Sequence, residues 1–300
     1  SARRFQVMAP QVARRAEALL DDLPAPGDAD LTESLVVPFT VGVLTDLMGL
    51  PAPGRALFVR LACRVVRGDA EDDAGFGEIA HEIAACIVPL LQSDPDLSEE
   101  SLLGMLVSAK NAGTLNDEET LSLVYQLFFA GHESSAYLLT NAIAVLLSRP
   151  KVAAALRDEP DLVDGAVEEL LRWEGSVKVG SWRFATEPLE LDGKRIEQGD
   201  PLLVVLAAAN RDEERFPDAD TLDIHRRDSG HLAFGHGPHH CLGAALGRVE
   251  ATTLLSAPLR RFPEMELSVP YADLEWRHNI IMRGPRRLPV TLGKDLGRWE

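Results

Sequence analysis

Three hundred residues, 46% hydrophobic and 26% charged, can bury a sizeable core and have the balance of a globular chain. A net charge of −17 excludes general nucleic-acid binding and attraction to an anionic membrane surface. Three widely spaced cysteines, Cys63, Cys86 and Cys241, exclude a disulfide framework and suit a reduced, cytoplasmic setting.

Apolar residues recur at a spacing of three to four as far as Leu147, which predicts a run of helices. They are expected over Ala13–Leu20, Leu35–Leu50, Arg55–Val66, Phe76–Leu91 and Ser98–Ala109, with Glu99 and Glu100 in the first turn of the last. Cys63 and Cys86 fall on these helices as small buried hydrophobes. Asn116 with Glu119 forms a capping-box pattern opening a helix that can reach Ser148, on the order of 45 Å long. Apolar on several faces, that helix must lie in the core. Helices over Lys151–Arg157 and Leu162–Trp173 follow.

After Gly175 the texture changes. Leu189–Leu191, Arg195–Ile196 and Leu202–Leu206 read as short strands between Asp-Gly and Gly-Asp turns. Asn210–Gly230 is polar and irregular, Leu242–Leu259 is helical again, and the tail to about Leu292 reads as small β hairpins. The organisation expected is one mainly α domain. It is mostly helical over 1–175, β and irregular over 176–233, a loop and helix over 234–261, and hairpins over 262–292. No leader-like pattern is visible at Ser1-Ala2-Arg3-Arg4. No membrane anchor is expected, because Leu202–Ala209 is too short and Leu121–Leu147 carries His132 and Glu133.

Three strings carry chemistry. The densest is Phe234-Gly235-His236-Gly237-Pro238-His239-His240-Cys241-Leu242-Gly243, just before a helix. Its glycines permit a tight turn and close approach to a flat ligand. A thiolate at Cys241 would be favoured by the helix N-terminus. A zinc site is the rival reading, but the three histidines and the cysteine crowd into one turn and no second ligand pair is spaced to join them. A plain Gly-rich turn with a buried cysteine leaves the rest of the string unexplained. The second string is Glu169-Leu170-Leu171-Arg172, whose charges share a helix face; alone it reads as a surface bridge. The third is Ala130-Gly131-His132-Glu133-Ser134-Ser135, where a glycine, a charge and hydroxyls interrupt an apolar helix. Its bland reading is a bend at Gly131 with serine back-bonding to the previous turn.

Together these strings resemble the cytochrome P450 family. The first matches its F-G-x-G-x-H-x-C-x-G signature at every fixed position, with Ala245, Leu246 and Arg248 like its continuation. The second matches its E-x-x-R, and the third its A-G-x-[DE]-T, with Ser134 in place of the usual threonine. The resemblance implies a mainly α P450 domain with a long central helix over haem b. It implies Cys241 as the axial iron ligand, His239 and Arg183 on haem propionates, and Phe234, Gly235, Gly243, Ala130 and Gly131 at the cofactor. Glu133 and Ser134 would deliver protons to bound dioxygen, with looser control where threonine's methyl is missing. Glu169, Arg172 and Arg226 would form a structural triad beneath the haem.

The implied activity is insertion of one oxygen atom from O2 into a small organic substrate by hydroxylation or epoxidation, in bacterial secondary metabolism. Electrons would come from a ferredoxin and its reductase, since the chain carries no flavin or Rossmann fingerprint. Arginine outnumbers lysine 25 to 5, as in GC-rich bacteria. The resemblance runs through Arg283-Gly284 and Leu288-Pro289-Val290. Family members are longer at the N-terminal side, so a domain lacking its first helices is expected. The alternative is a non-catalytic relative that recruits another enzyme. Such relatives tend to lose the cysteine or relay residues, and this chain keeps Cys241, Glu133 and a hydroxyl at Ser134.

Overall fold

In the computed structural model, which describes residues 2–69, 73–93, 97–227, 230–277 and 280–298, helices dominate and strands are short. The helices are α1 (Ala2–Asp21), α2 (Val37–Met48), α3 (Ala52–Arg67), α4 (Asp73–Ser93), α5 (Leu102–Asn111), α6 (Asp117–Leu147), α7 (Pro150–Asp158), α8 (Val163–Glu174), the single turn α9 (Leu206–Ala209) and α10 (Ala244–Arg261). The strands are β1 (Gly27–Asp30), β2 (Arg183–Phe184), β3 (Leu189–Leu191), β4 (Lys194–Ile196), β5 (Pro201–Leu202), β6 (Glu266–Leu267) and β7 (Pro289–Leu292).

The expected long helix is α6. Asn116 Oδ1 accepts from Glu119 N–H and Glu119 Oε2 accepts from Asn116 N–H, both at 2.9 Å. This reciprocal cap satisfies two N–H groups that a helix start otherwise leaves open. Its last turns, Ala136–Leu146, are buried throughout. α6 packs on α2, α3, α4, α5, α7, α8 and α10, so it is the axis of the core. Edge contact of Phe58 in α3 with Phe128, and stacking of Phe76 in α4 on Phe129, seat that helical pair on it.

Several boundaries differ from the periodicity. A π turn over Thr32–Val36 leads into α2, and Gly49 closes that helix in the left-handed region at φ 79°. Ser101, not Ser98, caps α5, its side chain accepting from Gly104 N–H at 3.0 Å. Glu99 and Glu100 therefore lie outside the helix. The strand expected over Leu202–Leu206 is only Pro201–Leu202; the alanine-rich continuation turns helical as α9.

The tail does not form successive hairpins. β7 is the middle strand of a three-stranded antiparallel sheet, β1-β7-β6. β1, the polar Gly27-Asp28-Ala29-Asp30, has no alternation to reveal it, and is held by the β7 ladder and by Thr291 Oγ1 donating to Asp28 at 2.8 Å. The start and end of the chain also meet where α1 lies on α10. There Arg261 donates to Asp21 at 2.7 Å and to both carboxylate oxygens of Asp295 at 2.8 and 2.7 Å.

Among the described residues one helix, Ala74–Gln92 within α4, is long and apolar enough to cross a membrane, a stretch the apolar runs above passed over. Its Glu78 and Glu82 pair with Arg64 and Arg60 of α3 at 3.0 and 2.8 Å. Cys63 and Cys86 are half-buried, and burial raises both thiols.

Tyr137 on α6 is fully buried, and a Cβ built on Gly284 would overlap its ring. Gly284→Ala is therefore expected to destabilise by about 1–3 kcal/mol through overpacking. A denaturant midpoint unchanged from the parent would show that the ring yields at no cost.

Candidate active site

The best-determined part of the site is a charge network under the cysteine loop. Glu169 and Arg172, three residues apart on α8, have side chains only 2% and 1% exposed. Arg172 Nε and Nη2 grip Glu169 Oε2 and Oε1 at 2.7 and 2.8 Å. Its remaining hydrogens go to the carbonyls of Asn210 and Ala219 at 2.9 and 2.8 Å and of Thr221 at 3.1 Å. All five guanidinium hydrogens are thus used. Arg226 closes the set, its Nε 3.2 Å from Glu169 Oε2, and the Asp223 N–H adds a bond to Oε1 at 2.9 Å. The structure brings the three expected residues together. A surface bridge would have been worth little; a buried and fully paired one pins the irregular segment 210–226 to α8.

A second network holds the loop itself, and the sequence reading missed it. Glu168 accepts from Arg248 Nε and Nη2 at 2.6 and 2.9 Å and faces His231 Nε2 at 3.2 Å. Burial pushes the Glu168 carboxyl up, but His231 and Arg248 overcome it and hold it at about 2. Arg248 also lies over the Phe234 ring, 4.6 Å from its centre, and that ring abuts Gly247. Asn210 Oδ1 accepts from Leu232 N–H at 2.7 Å. The entry to the cysteine loop is therefore clamped from α8, α10 and the irregular segment.

The loop then turns freely. Gly235 and Gly237 sit at φ 71° and 73°, in the left-handed region that disfavours a side chain. Cys241 N–H donates to Phe234 O at 2.9 Å, closing the loop, and Gly243 is the N-cap of α10. Cys241 is exposed, Leu242 is 95% exposed, and His239 lies on an exposed turn at Gly237–His239. Nothing lies within 4 Å of a Cβ built on Gly237, and only the sulfur, at 3.7 Å, near one on Gly243. Arg183, on exposed β2, donates to Ser181 Oγ and Trp182 O at 3.2 and 3.1 Å. Trp182, Phe184, Val204 and Val205 are exposed apolar side chains on the same small ladder and the segment after it.

On α6, Ala130 is exposed and Ser134 is half-buried, its Oγ donating back to Ala130 O at 2.9 Å. Ser176 Oγ donates to Ser134 O at 2.8 Å, fixing the chain after α8 to this point. Gly131 serves packing: a Cβ there would be 3.1 Å from Leu44 of α2. Glu133 pairs with Arg277. Burial raises its carboxyl, and the Arg277 charge and hydrogen bond draw it back.

Two further buried groups went unread. His132 bonds Phe128 O through Nδ1 at 2.6 Å, while Nε2 has no protein partner, and burial lowers its pKa to about 4. Glu250 of α10 meets Ser135, its Oε2 is unpartnered, and burial raises it to about 8.

A sequence profile of the cytochrome P450 family, described as "Cytochrome P450", matches residues 80–275. The chain is 42% identical over 302 residues to the cytochrome P450 monooxygenase PikC of Streptomyces venezuelae, covering 99% of this chain and 72% of that one. The chain belongs to the cytochrome P450 family. It is 35% identical to the mycinamicin IV hydroxylase/epoxidase of Micromonospora griseorubida, covering 97% of this chain and 74% of the relative. The tirandamycin C-bound structure of the P450 monooxygenase TamI superposes with TM-score 0.89 at 35% identity, over 98% of this chain and 72% of the other.

The chain is thus an oxygen-inserting P450 monooxygenase, using haem iron, O2, a small organic substrate and electrons from a redox partner. These relatives lend nothing to the non-catalytic alternative. The residues fit haem iron: a single soft thiol stands at a helix start beside open backbone, with apolar side chains exposed nearby and a cation at Arg183. Among the described residues no group of three His, Cys, Asp or Glu side chains is placed for a metal ion, which counts against the zinc reading.

Glu169→Gln and Arg172→Ala are each expected to cost about 3–5 kcal/mol by leaving a buried charge unpaired, read from urea unfolding. A loss under about 1 kcal/mol would mean that segment 210–226 is held by other means. Glu250 gives a pH signature. Between pH 4.5, its ordinary value, and about 8 the folded chain keeps a proton that the unfolded chain sheds. Stability conferred below that window is lost as pH rises through it. His132 has the opposite sign, losing stability as pH falls from 6.5 to about 4. Glu250→Gln should therefore gain on the parent by up to ~5 kcal/mol from pH 4.5 to 8. A pH-independent difference would contradict the assigned protonation.

Proposed function

We propose that this protein hydroxylates or epoxidises a natural product, in bacterial secondary metabolism, through haem b held by Cys241. The observation that carries this reading is the exposed thiol in a loop shaped by two left-handed glycines and closed at the N-terminus of α10. A helix start and its N–H groups favour the thiolate form. Bound through a thiolate, haem supplies dioxygen binding, electron uptake and oxygen–oxygen cleavage.

The chain's own residues do the rest. His239 and Arg183 take the two propionates. Phe234, Gly235 and Gly243 bring backbone close to the ring on the thiolate side, and Ala130 and Gly131 border it on the other. Ser134 turns its hydroxyl from Ala130 O toward the oxygen side and passes a proton from Oγ. Glu133 replaces that proton while Arg277 holds the carboxylate in place. Glu169, Arg172 and Arg226 keep the floor rigid under the thiolate.

The substrate class follows relatives named for mycinamicin IV and tirandamycin C. A separate ferredoxin and its reductase supply electrons in the cytoplasm, consistent with a chain of net charge −17 that carries no flavin fingerprint. Residues 1–300 act as one P450 domain.

A carbon monoxide difference spectrum of the reduced, haem-loaded protein tests the assignment. The Soret band is expected at the thiolate-ligated position and should vanish in Cys241→Ala. A band at that position in the alanine variant would remove Cys241 from the iron. Ser134→Ala should release severalfold more peroxide per electron pair with haem binding intact; unchanged coupling would take Ser134 out of proton delivery.

A further inference from the structure

Three side chains from distant parts of the chain hold the last carbonyls of α3. Tyr137 Oη donates to Val66 O at 2.8 Å, Arg286 Nη1 to Arg67 O at 2.8 Å, and Arg277 Nη1 to Val65 O at 3.1 Å. A helix leaves its final carbonyls without intrahelical partners, and cations suit that end.

Arg277 is also engaged elsewhere. The same Nη1 meets Glu133 Oε1, and it meets Tyr137 Oη at 2.7 Å. The hydrogen of Tyr137 is committed to Val66 O, so its oxygen accepts here. Nη1 carries two hydrogens and faces three acceptors. One acceptor gains a full bond only as another loses it. Glu133 competes through its charge, and Val65 O through its position, which moves with the end of α3. Both Glu133 and Arg277 are largely buried, so water does little to relieve the competition.

We propose that Arg277 is a positioning residue that makes the freedom of Glu133 depend on the seating of α3. With the last turn of α3 seated, Val65 O draws a hydrogen from Nη1 and Glu133 is held loosely enough to exchange its proton. With the turn lifted, both hydrogens fall to Glu133 and Tyr137, and the carboxylate is locked. The α3–α4 pair rests on α6 through Phe58 and Phe76, so a ligand that shifts that pair acts on Glu133 through this one nitrogen. The proposal rests on the reading of Glu133 as proton carrier.

Amide hydrogen exchange at residues 64–69 of the haem-loaded protein reports the seating directly. Glu133→Gln should slow it about three- to tenfold, because a neutral amide returns a hydrogen to Val65 O. Tyr137→Phe should speed it, since Val66 O loses its donor. In the double variant two acceptors remain for two hydrogens, so Glu133→Gln should then change nothing. Exchange unaltered by Glu133→Gln, or effects that simply add, would overturn the proposal. If Tyr137→Phe does not fold, Arg277→Lys replaces it; it keeps the charge, loses the fork, and should abolish the response to Glu133→Gln. Peroxide release separates the two readings. Raised peroxide with unaltered exchange in Glu133→Gln overturns the coupling and leaves the proton role standing. Slowed exchange with unaltered peroxide upholds the pin and removes the proton role.

Discussion

The bidentate grip of Arg172 on Glu169 is the constraint on which the site depends. Two opposite charges this deeply buried are tolerable only with every lone pair and hydrogen used, and here backbone carbonyls from Asn210 to Thr221 complete the set. The consequence is one of placement. A long segment without regular structure becomes as fixed as the helix beneath it, because its own carbonyls are what the arginine needs. Segment 210–226 in turn presents Asn210 to the start of the cysteine loop.

Glu168 stands next to Glu169 in sequence but faces a different partner set. One glutamate ties α8 to the irregular segment, the other ties it to α10 and His231. The cysteine loop therefore inherits its position from α8 on two independent charge networks. Its tip keeps none of these restraints, and the exposed sulfur sits on backbone shaped by glycine torsions and a single closing hydrogen bond. Rigid support under a conformationally specialised tip is what an axial ligand position requires.

The sequence made the cysteine loop, the Glu169–Arg172 pair and the long helix legible because each is written locally, in a fixed string or in a capping pattern a few residues long. Arg226 was legible only through resemblance, since nothing in Leu222–Arg226 says that its guanidinium reaches back to α8. Arg277, Glu168 and His231 were not legible at all. Their partners lie 144, 80 and 63 residues away, and side chains of this kind read as solvated surface until the fold brings them inside. β1 was missed for a related reason: Gly27-Asp28-Ala29-Asp30 has turn composition and becomes a strand only when β7 is beside it. At Gly131 a residue read as opening a groove instead makes room for Leu44, a packing need invisible in a motif.

The meeting of α1 with α10 has a consequence for how the chain is made. Val12, Ala16 and Leu20 of α1 are buried in the finished fold. The arginine that clamps α1, Arg261, lies 240 residues beyond Asp21. At roughly 5–20 residues per second a ribosome takes on the order of 10 to 50 s to supply it. For that interval an amphipathic helix waits with its apolar stripe open to water. Translation speed through the middle of the message, and the chaperones that cover such a stripe, thus bear on the yield of a protein whose chemistry lies in another part of the fold.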